Sequence, residues 1–342
     1  MSYVDYLVRR LTQNAFVLAG LSMLIFGLSR ILPGDPVRLA LGRSASEQQV
    51  QNLREIMGLN EPIYIQYIDW LQGVIQGQWG RSLRTGNNVL FDILTRFSAT
   101  LELVLVAVVF AVLFAIPFGV IAGMNKDRWP DHVSRLVTLF GVSLPRFWVA
   151  ILFQLLFVAV LGWLPLIGRL SNGVTPPPDV TGLYLVDSLL AGQVNVFVDA
   201  GLHLILPAAA LGLATLAQVT RLIRSSMIEE QREDYVLAAR AYGLPSNMIE
   251  YKYMLKNAFT SSLTIIGLSF GFLMGNAFLI ELIFSWPGMA RYGVNAILFR
   301  DFNAIVGVVL VIGFIFVTTN LVVDLLYAYL DPRVRRSEGE SS

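Results

Sequence analysis

The stretch from Ser98 to Met124, "SATLELVLVAVVFAVLFAIPFGVIAGM", is apolar almost without interruption. About 20 such residues are enough for a helix to cross the hydrocarbon core of a bilayer. Inside lipid every backbone polar group must be satisfied within the segment, which leaves helices or closed barrels as solutions. Comparable runs recur at about 11–32, 136–162, 203–222, 261–282 and 304–329. Only 14% of residues are charged, against about 25% in a soluble domain. The expected fold is therefore an all-α multi-span membrane protein with about six transmembrane helices.

Basic residues orient such a chain. Arg9 and Arg10, then Lys126, Arg128 and Arg135, then Arg221, Arg224, Arg232, Arg240, Lys252 and Lys256, and finally Arg333, Arg335 and Arg336 fall on one side of the predicted spans. The short loops on the other side, 163–202 and 283–303, hold only Arg169, Arg291 and Arg300. The positive-inside rule then places both termini and the segment 221–259 in the cytoplasm. The opening "MSYVDYLVRRLTQNAFVLAG" has a basic pair and a long apolar run without an A-x-A-type cleavage site. It reads as a retained first span.

The divisions expected are a cytoplasmic start and first span over 1–32, an extracytoplasmic loop over 33–97, a core of five further spans over 98–330 that includes the polar segment 221–259, and a cytoplasmic tail over 331–342. In the long loop, Ser44 and Glu47 have capping-box spacing, and Gly58 with Pro62 marks a helix stop. "IYIQYIDWLQGVIQGQWG" follows, with aromatics at helical intervals, as in a helix lying at the membrane interface. A small external cap without direct function is the alternative. The stretch 163–202, with "TPPPD", reads as turn-rich.

Chemistry is scarce. Cysteine is absent, which excludes disulfides and thiolate metal sites. His132 and His203 lack metal-ligand spacing. No phosphate-binding G-x-x-x-x-G-K-[ST] loop, G-x-S-x-G or H-E-x-x-H occurs. No basic run points to nucleic acid. The chain is expected to be no enzyme and to hold no cofactor, so if it takes part in energy-driven transport the energy would enter through another chain. Within the spans the polar residues singled out are Asn276, Glu281, Asn320 and Asp324, with Glu281 and Asp324 expected at span ends. Gly267, Gly271 and Gly275 repeat G-x-x-x-G twice, a small-residue face for close helix packing inside the subunit, or alternatively for a dimer seam.

One polar stretch interrupts the apolar sequence: "EDYVLAARAYGLPSNMIEYKYMLKNAF", residues 233–259. Its first half favours helix, with slim Ala238, Ala239 and Ala241, and Gly243 stands where a C-terminal glycine cap belongs. A second helix is expected to restart with Ser246 or Asn247 as N-cap and Glu250 in its first turn. Two short helices joined by a tight turn make a knob suited to another protein's groove, or else a solvated hairpin.

This stretch resembles the cytoplasmic coupling loop of ABC importer permeases of the dipeptide/oligopeptide family. The family pattern, close to D-Y-V-x-x-A-R-A-x-G-L, is matched by Asp234, Tyr235, Val236, Ala239, Arg240, Ala241, Gly243 and Leu244. "RILPGDPVRLALG", "SLPRFWVAILFQLLF", "GLYLVDSLLAG", "ELIFSWPGMARYGVNAILFRDFNAIVGVVL" and "DLLYAYLDPRVR" also match in order. The resemblance implies a permease subunit of the plasma (inner) membrane. It implies a second related permease chain, an extracytoplasmic binding protein, and two ATPase subunits that carry ATP and magnesium. Coupling to the ATPases would fall to Glu233, Asp234, Tyr235, Ala238, Ala239, Arg240, Ala241, Gly243 and Leu244. Against the general importer motif E-A-A-x-x-x-G, Leu237 takes the glutamate position, and Tyr253 and Lys256 depart from the later I-x-L-P. Glu233 and Asp234 could then supply acidic contacts instead.

Near the last span, "SWPGMARYG" sets Trp286, Pro287, Gly288 and Arg291 in a turn-bounded loop. It is expected to dock the binding protein or to gate, with an interfacial Trp anchor as the alternative. The resemblance implies di- or oligopeptides as substrate, with oligosaccharides, nickel complexes or glutathione as alternatives. An ATPase-independent secondary transporter is the reading from another class. Intramembrane residues suited to ion coupling are missing, which weighs against it.

Overall fold

The computed structural model describes residues 3–31, 37, 45–56 and 58–330. Ser44, most of "RILPGDPVRLALG" and the basic tail lie outside the described residues. The helices are α1 (Tyr3–Ile31), α2 (Glu47–Ile56), α3 (Ile63–Ile75), α4 (Val89–Met124), α5 (Trp129–Ser143), α6 (Arg146–Phe153), α7 (Tyr184–Leu190), α8 (Val194–Glu230), α9 (Asp234–Ala241), α10 (Leu255–Ile283), α11 (Met289–Leu298) and α12 (Phe302–Leu330). Among the described residues the only β feature is an isolated bridge between Arg81 and Asn88. The fold is all-α and multi-span.

Among the described residues five helices carry apolar stretches long enough to cross a membrane: Leu7–Arg30, Val89–Met124, Val194–Glu230, Ser262–Ile283 and Phe302–Leu325. The expected third span, 136–162, is not one straight helix. It is a pair, Trp129–Ser143 and Arg146–Val160, bent by 112°. Pro145 explains the break. Its ring disfavours helical backbone at the residue before it, and Leu144 is extended at φ −86°, ψ 135°.

Glycine contacts set the helix directions. A Cβ on Gly212 of α8 would meet the Ala107 carbonyl oxygen of α4 at 2.6 Å, and one on Gly123 would meet Met227 Cβ at 2.7 Å. Both numbers rise together, so α4 and α8 run parallel. The chain must therefore cross back once between them, and the bent pair does so. It starts beside Arg224, which bonds Asp131, and the loop that follows it reaches Glu102 through Arg169. With the bent pair counted as one span, the spans among the described residues number six.

Along α10, a Cβ on Gly267 would meet Val323 Cγ2 at 2.5 Å, on Gly271 Phe316 Cδ2 at 3.1 Å, and on Gly275 Ile312 Cγ2 at 3.8 Å. The glycine face thus packs antiparallel on α12 inside the chain. α1 also lies antiparallel to α12, with Arg10 bonded to Asp324 at 3.2 Å. The start of α1, the ends of α8 and α12 and the 231–254 segment consequently share one face of the molecule. The ends of α1 and α10 and the starts of α4, α8 and α12 share the other.

In the long loop, α2 is capped by Ser46, two residues on from the expected Ser44. The Gln49 N–H donates to Ser46 Oγ at 3.3 Å, and the Ser46 N–H donates to Gln49 Oε1 at 3.0 Å. This is a capping box with glutamine in the third helical position. The aromatics of α3 do not only face outward. Tyr67 and Trp70 pack on Phe26 of α1, each at a centroid distance of 5.4 Å.

Candidate functional site

The polar interruption forms one short helix, α9, held between the end of α8 and the run into α10. Val236 is fully buried, and Tyr235, Ala239 and Leu244 pack with it on a cluster that includes Ile223, Met227, Ile249 and Met254. The Tyr235 hydroxyl donates to the Glu230 carboxylate, which also accepts from Asn257 Nδ2 at 3.2 Å. Burial, and then the Glu230 carboxylate, push the Tyr235 hydroxyl up to about 12, so it stays a donor at neutral pH. Gln231 Nε2 donates to the Gly123 carbonyl at 2.9 Å and ties the root of the segment to α4.

The end of α9 is a Schellman turn. The Leu244 N–H reaches the Ala239 carbonyl at 3.2 Å and the Gly243 N–H reaches that of Arg240 at 3.0 Å. Gly243 has φ +72°, a backbone state that costs a residue with a β-carbon about 1–2 kcal/mol. No atom lies within 4 Å of where a Cβ would sit, so the demand for glycine within this chain is conformational.

The expected coupling residues divide by face. Glu233, Asp234, Ala238, Arg240, Ala241 and Gly243 are exposed, while Tyr235, Ala239 and Leu244 point inward and seat the helix. Two exposed apolar side chains complete the outer face: Leu237 is 57% exposed and Tyr242 87%. Tyr242 was not singled out in the sequence because no periodicity marks a helix-end residue. The expected second short helix is corrected. A helix does restart at Ser246, but Pro245 holds the N-cap position without a side-chain bond, and the helix continues through a π-helical stretch, Ile249–Met254, directly into α10 instead of ending as a short element. The knob is therefore one short helix and the projecting start of a span's own helix.

On the opposite face, residues 284–291 are clamped. Trp286 is only 1% exposed, and its indole N–H donates to the Ala99 carbonyl at 2.8 Å. The expectation that Trp286 meets a partner or anchors at a lipid interface does not fit this burial. Its edges are used up by α4 and by the Arg169 guanidinium, 5.7 Å from its ring. Pro287 is exposed, Gly288 buried and Arg291 half-buried. A Cβ on Gly288 would fall onto the Glu281 carboxylate. Glu281 sits at the end of its span as expected, yet it is fully buried. It accepts from Thr100 Oγ1 at 2.5 Å and from the Arg291 N–H at 2.7 Å.

A second buried pair lies alongside. Arg169 donates to Glu102 at 2.6 Å and to the Gly182 carbonyl at 2.9 Å, and its guanidinium lies over the Tyr184 ring at 3.4 Å. Glu102 also accepts from the Leu185 N–H at 2.8 Å. The sequence reading passed over Glu102, although an acid inside so apolar a run, and a lone cation in 163–202, were available signals. Asp187 fastens the same loop by accepting from the Thr181 hydroxyl at 2.7 Å and the Gly182 N–H at 2.9 Å. Among the described residues no group of three or more histidines and acids could hold a metal.

Comparison with known proteins places this architecture. Residues 115–336 match the family described as "Binding-protein-dependent transport system inner membrane component", and residues 3–104 match its N-terminal companion. The chain is 42% identical to the probable D,D-dipeptide transport system permease protein DdpB of Escherichia coli K12, covering 99% of this chain and 100% of that one. It is 41% identical to the dipeptide transport system permease protein DppB of Alkalihalophilus pseudofirmus, covering 96% and 99%. It is also 33% identical to the glutathione transport system permease protein GsiC of Escherichia coli K12, covering 97% and 99%. A six-span helical chain with these matches over nearly its whole length belongs to the family of inner membrane components of binding-protein-dependent transport systems.

Proposed function

We propose that this chain is the permease subunit of an ATP-driven importer that carries di- or oligopeptides into the cell. The observation that carries the coupling role is α9. Its inner face is fixed by Val236 and the Tyr235–Glu230 bond, its end is locked by a Schellman turn, and its outer face offers Leu237 and Tyr242 between Glu233, Asp234 and Arg240. Exposed apolar side chains rimmed by charge, on an element held rigid from beneath, suit a groove on a soluble partner. The partner is an ATPase subunit that supplies ATP and magnesium. A related permease chain completes the pathway and a binding protein delivers substrate. Both termini and α9 face the cytoplasm, in keeping with the basic residues around them.

Movement of the seated α9 would be passed to α4, α5 and α8 as a rigid body, because Gln231, Asp131 and Arg224 fix its root to them. The clamped 284–291 loop stands at the other end of α10, where it would open and close the outer side. The peptide assignment is supported by the relatives' names as dipeptide and glutathione permeases, glutathione itself being a modified tripeptide.

The test is reconstitution with the cognate ATPases, permease partner and binding protein. Leu237→Asp with Tyr242→Ala is expected to release the ATPases while the permease pair stays assembled. Uptake of labelled dipeptide is expected from the unaltered assembly. ATPases retained by the double variant at the normal level would sink the coupling assignment, and uptake of a non-peptide alone would sink the substrate class.

A further inference from the structure

A cleft of about 520 Å³ opens where α1 ends and α12 begins, walled by α3 and the 78–83 turn. Its size is that of a small-molecule site. Arg30, the last residue of the first apolar span, stands over the Phe26 ring at 5.0 Å on one side. Asp69 of α3 stands on another wall. Among the described residues neither has an ionic partner, and no ion pair within 4.0 Å joins them. One cleft thus offers a cation and an anion at separate places.

The rest of the lining gives the depth. Trp70 and Trp79 lie at the level where two antiparallel spans end and begin, the position of interfacial aromatics. Below them Phe302, Val306 and Leu310 line the cleft at every fourth residue of α12. They form one apolar strip about 12 Å long, running down into the hydrocarbon level. A phosphate at Arg30, an ammonium at Asp69 and a hydrocarbon chain along α12 describe one chemical class.

We propose that this cleft binds a zwitterionic aminophospholipid, its phosphate on Arg30, its primary amine on Asp69 and one acyl chain on the Val306–Leu310 strip. The site wedges lipid between α1 and the helices it flanks. It is separate from both α9 and the clamped outer loop.

Native mass spectrometry of the full chain, purified with its accompanying subunits, tests this with dioleoyl phosphatidylethanolamine and dioleoyl phosphatidylglycerol added in equal amounts. The ethanolamine lipid is expected to be retained about tenfold more, the effect of one charge-assisted hydrogen bond. Asp69→Asn should erase that preference and leave phosphatidylglycerol retention unchanged. Arg30→Ala should lose both lipids and Arg30→Lys should restore them, which separates lost recognition from lost folding. Equal retention of the two lipids by the unaltered protein, or undiminished ethanolamine-lipid retention in both Asp69→Asn and Arg30→Ala, overturns the proposal. Free O-phosphoethanolamine or a free dipeptide competing as well as the lipid would overturn the lipid assignment in favour of a soluble zwitterion.

Discussion

The hydroxyl of Thr100 donates to the carboxylate of Glu281 at 2.5 Å, joining α4 to the end of α10 across 181 residues of sequence. Both groups are buried. The same hydroxyl accepts from the Met289 N–H at 2.8 Å, and the same carboxylate accepts from the Arg291 N–H at 2.7 Å. Two side chains therefore hold the end of the turn that follows Pro287 and Gly288. Because Gly288 leaves no room for a Cβ beside that carboxylate, Gly288→Ala is expected to push the turn off its seat. Thr100→Val should weaken it more mildly, by about 1–3 kcal/mol for a buried acceptor short of one donor. Hydrogen exchange over 281–293 is the check: protection equal to the unaltered protein in Gly288→Ala would remove the clamp.

Trp286 lies under that turn. Truncation to alanine at so buried a site should cost about 3–5 kcal/mol, and assembly is expected to suffer along with any outer-side function. Trp286→Phe keeps most of the packing and loses the bond to the Ala99 carbonyl, about 1 kcal/mol. Thermal unfolding in detergent should therefore rank alanine well below phenylalanine. Equal melting of the two variants would show that the indole is not packed as described.

At Gly243 conformation and sterics separate cleanly. With φ +72° and open space around the missing Cβ, Gly243→Val should cost about 1–2 kcal/mol through backbone strain. The α9 end should loosen and substrate uptake fall. Gly243→Asn, which tolerates left-handed backbone, is expected to keep most uptake. Transport assays that rank asparagine no better than valine would point to an intolerance of side-chain bulk at the partner's surface instead.

Burial acts to raise the Asp187 carboxyl pKa, but bonds from Thr181, Val180 and Gly182 outweigh it and hold the group below its ordinary value. A carboxyl with a depressed folded pKa stabilises its surroundings fully above the unfolded value, about 3.9. That stability is lost as pH falls through the folded value. Exchange protection of 179–187 should therefore be flat from neutral pH to about pH 5 and drop as acid is added below about pH 4. In Asp187→Asn the protection should be lower throughout and lose that acid step. A step that persists in the asparagine variant would assign it to another carboxyl.

What could be read from the amino-acid order was whatever depends on local composition and period. The long apolar runs announced the spans because lipid leaves the backbone few choices. The Gly243 cap was legible because a left-handed residue after a run of helix formers is a local event. The glycine row at 267, 271 and 275 announced close packing, though its partner, α12, came only from the tertiary arrangement. The break at Pro145 is local as well, a steric effect on Leu144. The fold alone decided the rest. It set the course of the two halves of that span across the membrane and continued the second short helix into α10. It buried Trp286 and drew Glu102 to Arg169, and Glu281 to Thr100. The burial of Trp286 and the two carboxylate pairings rest on residues far apart in the chain. Whether an aromatic or a carboxylate faces water, lipid or another helix is set by what packs against it, and no local pattern encodes that neighbour.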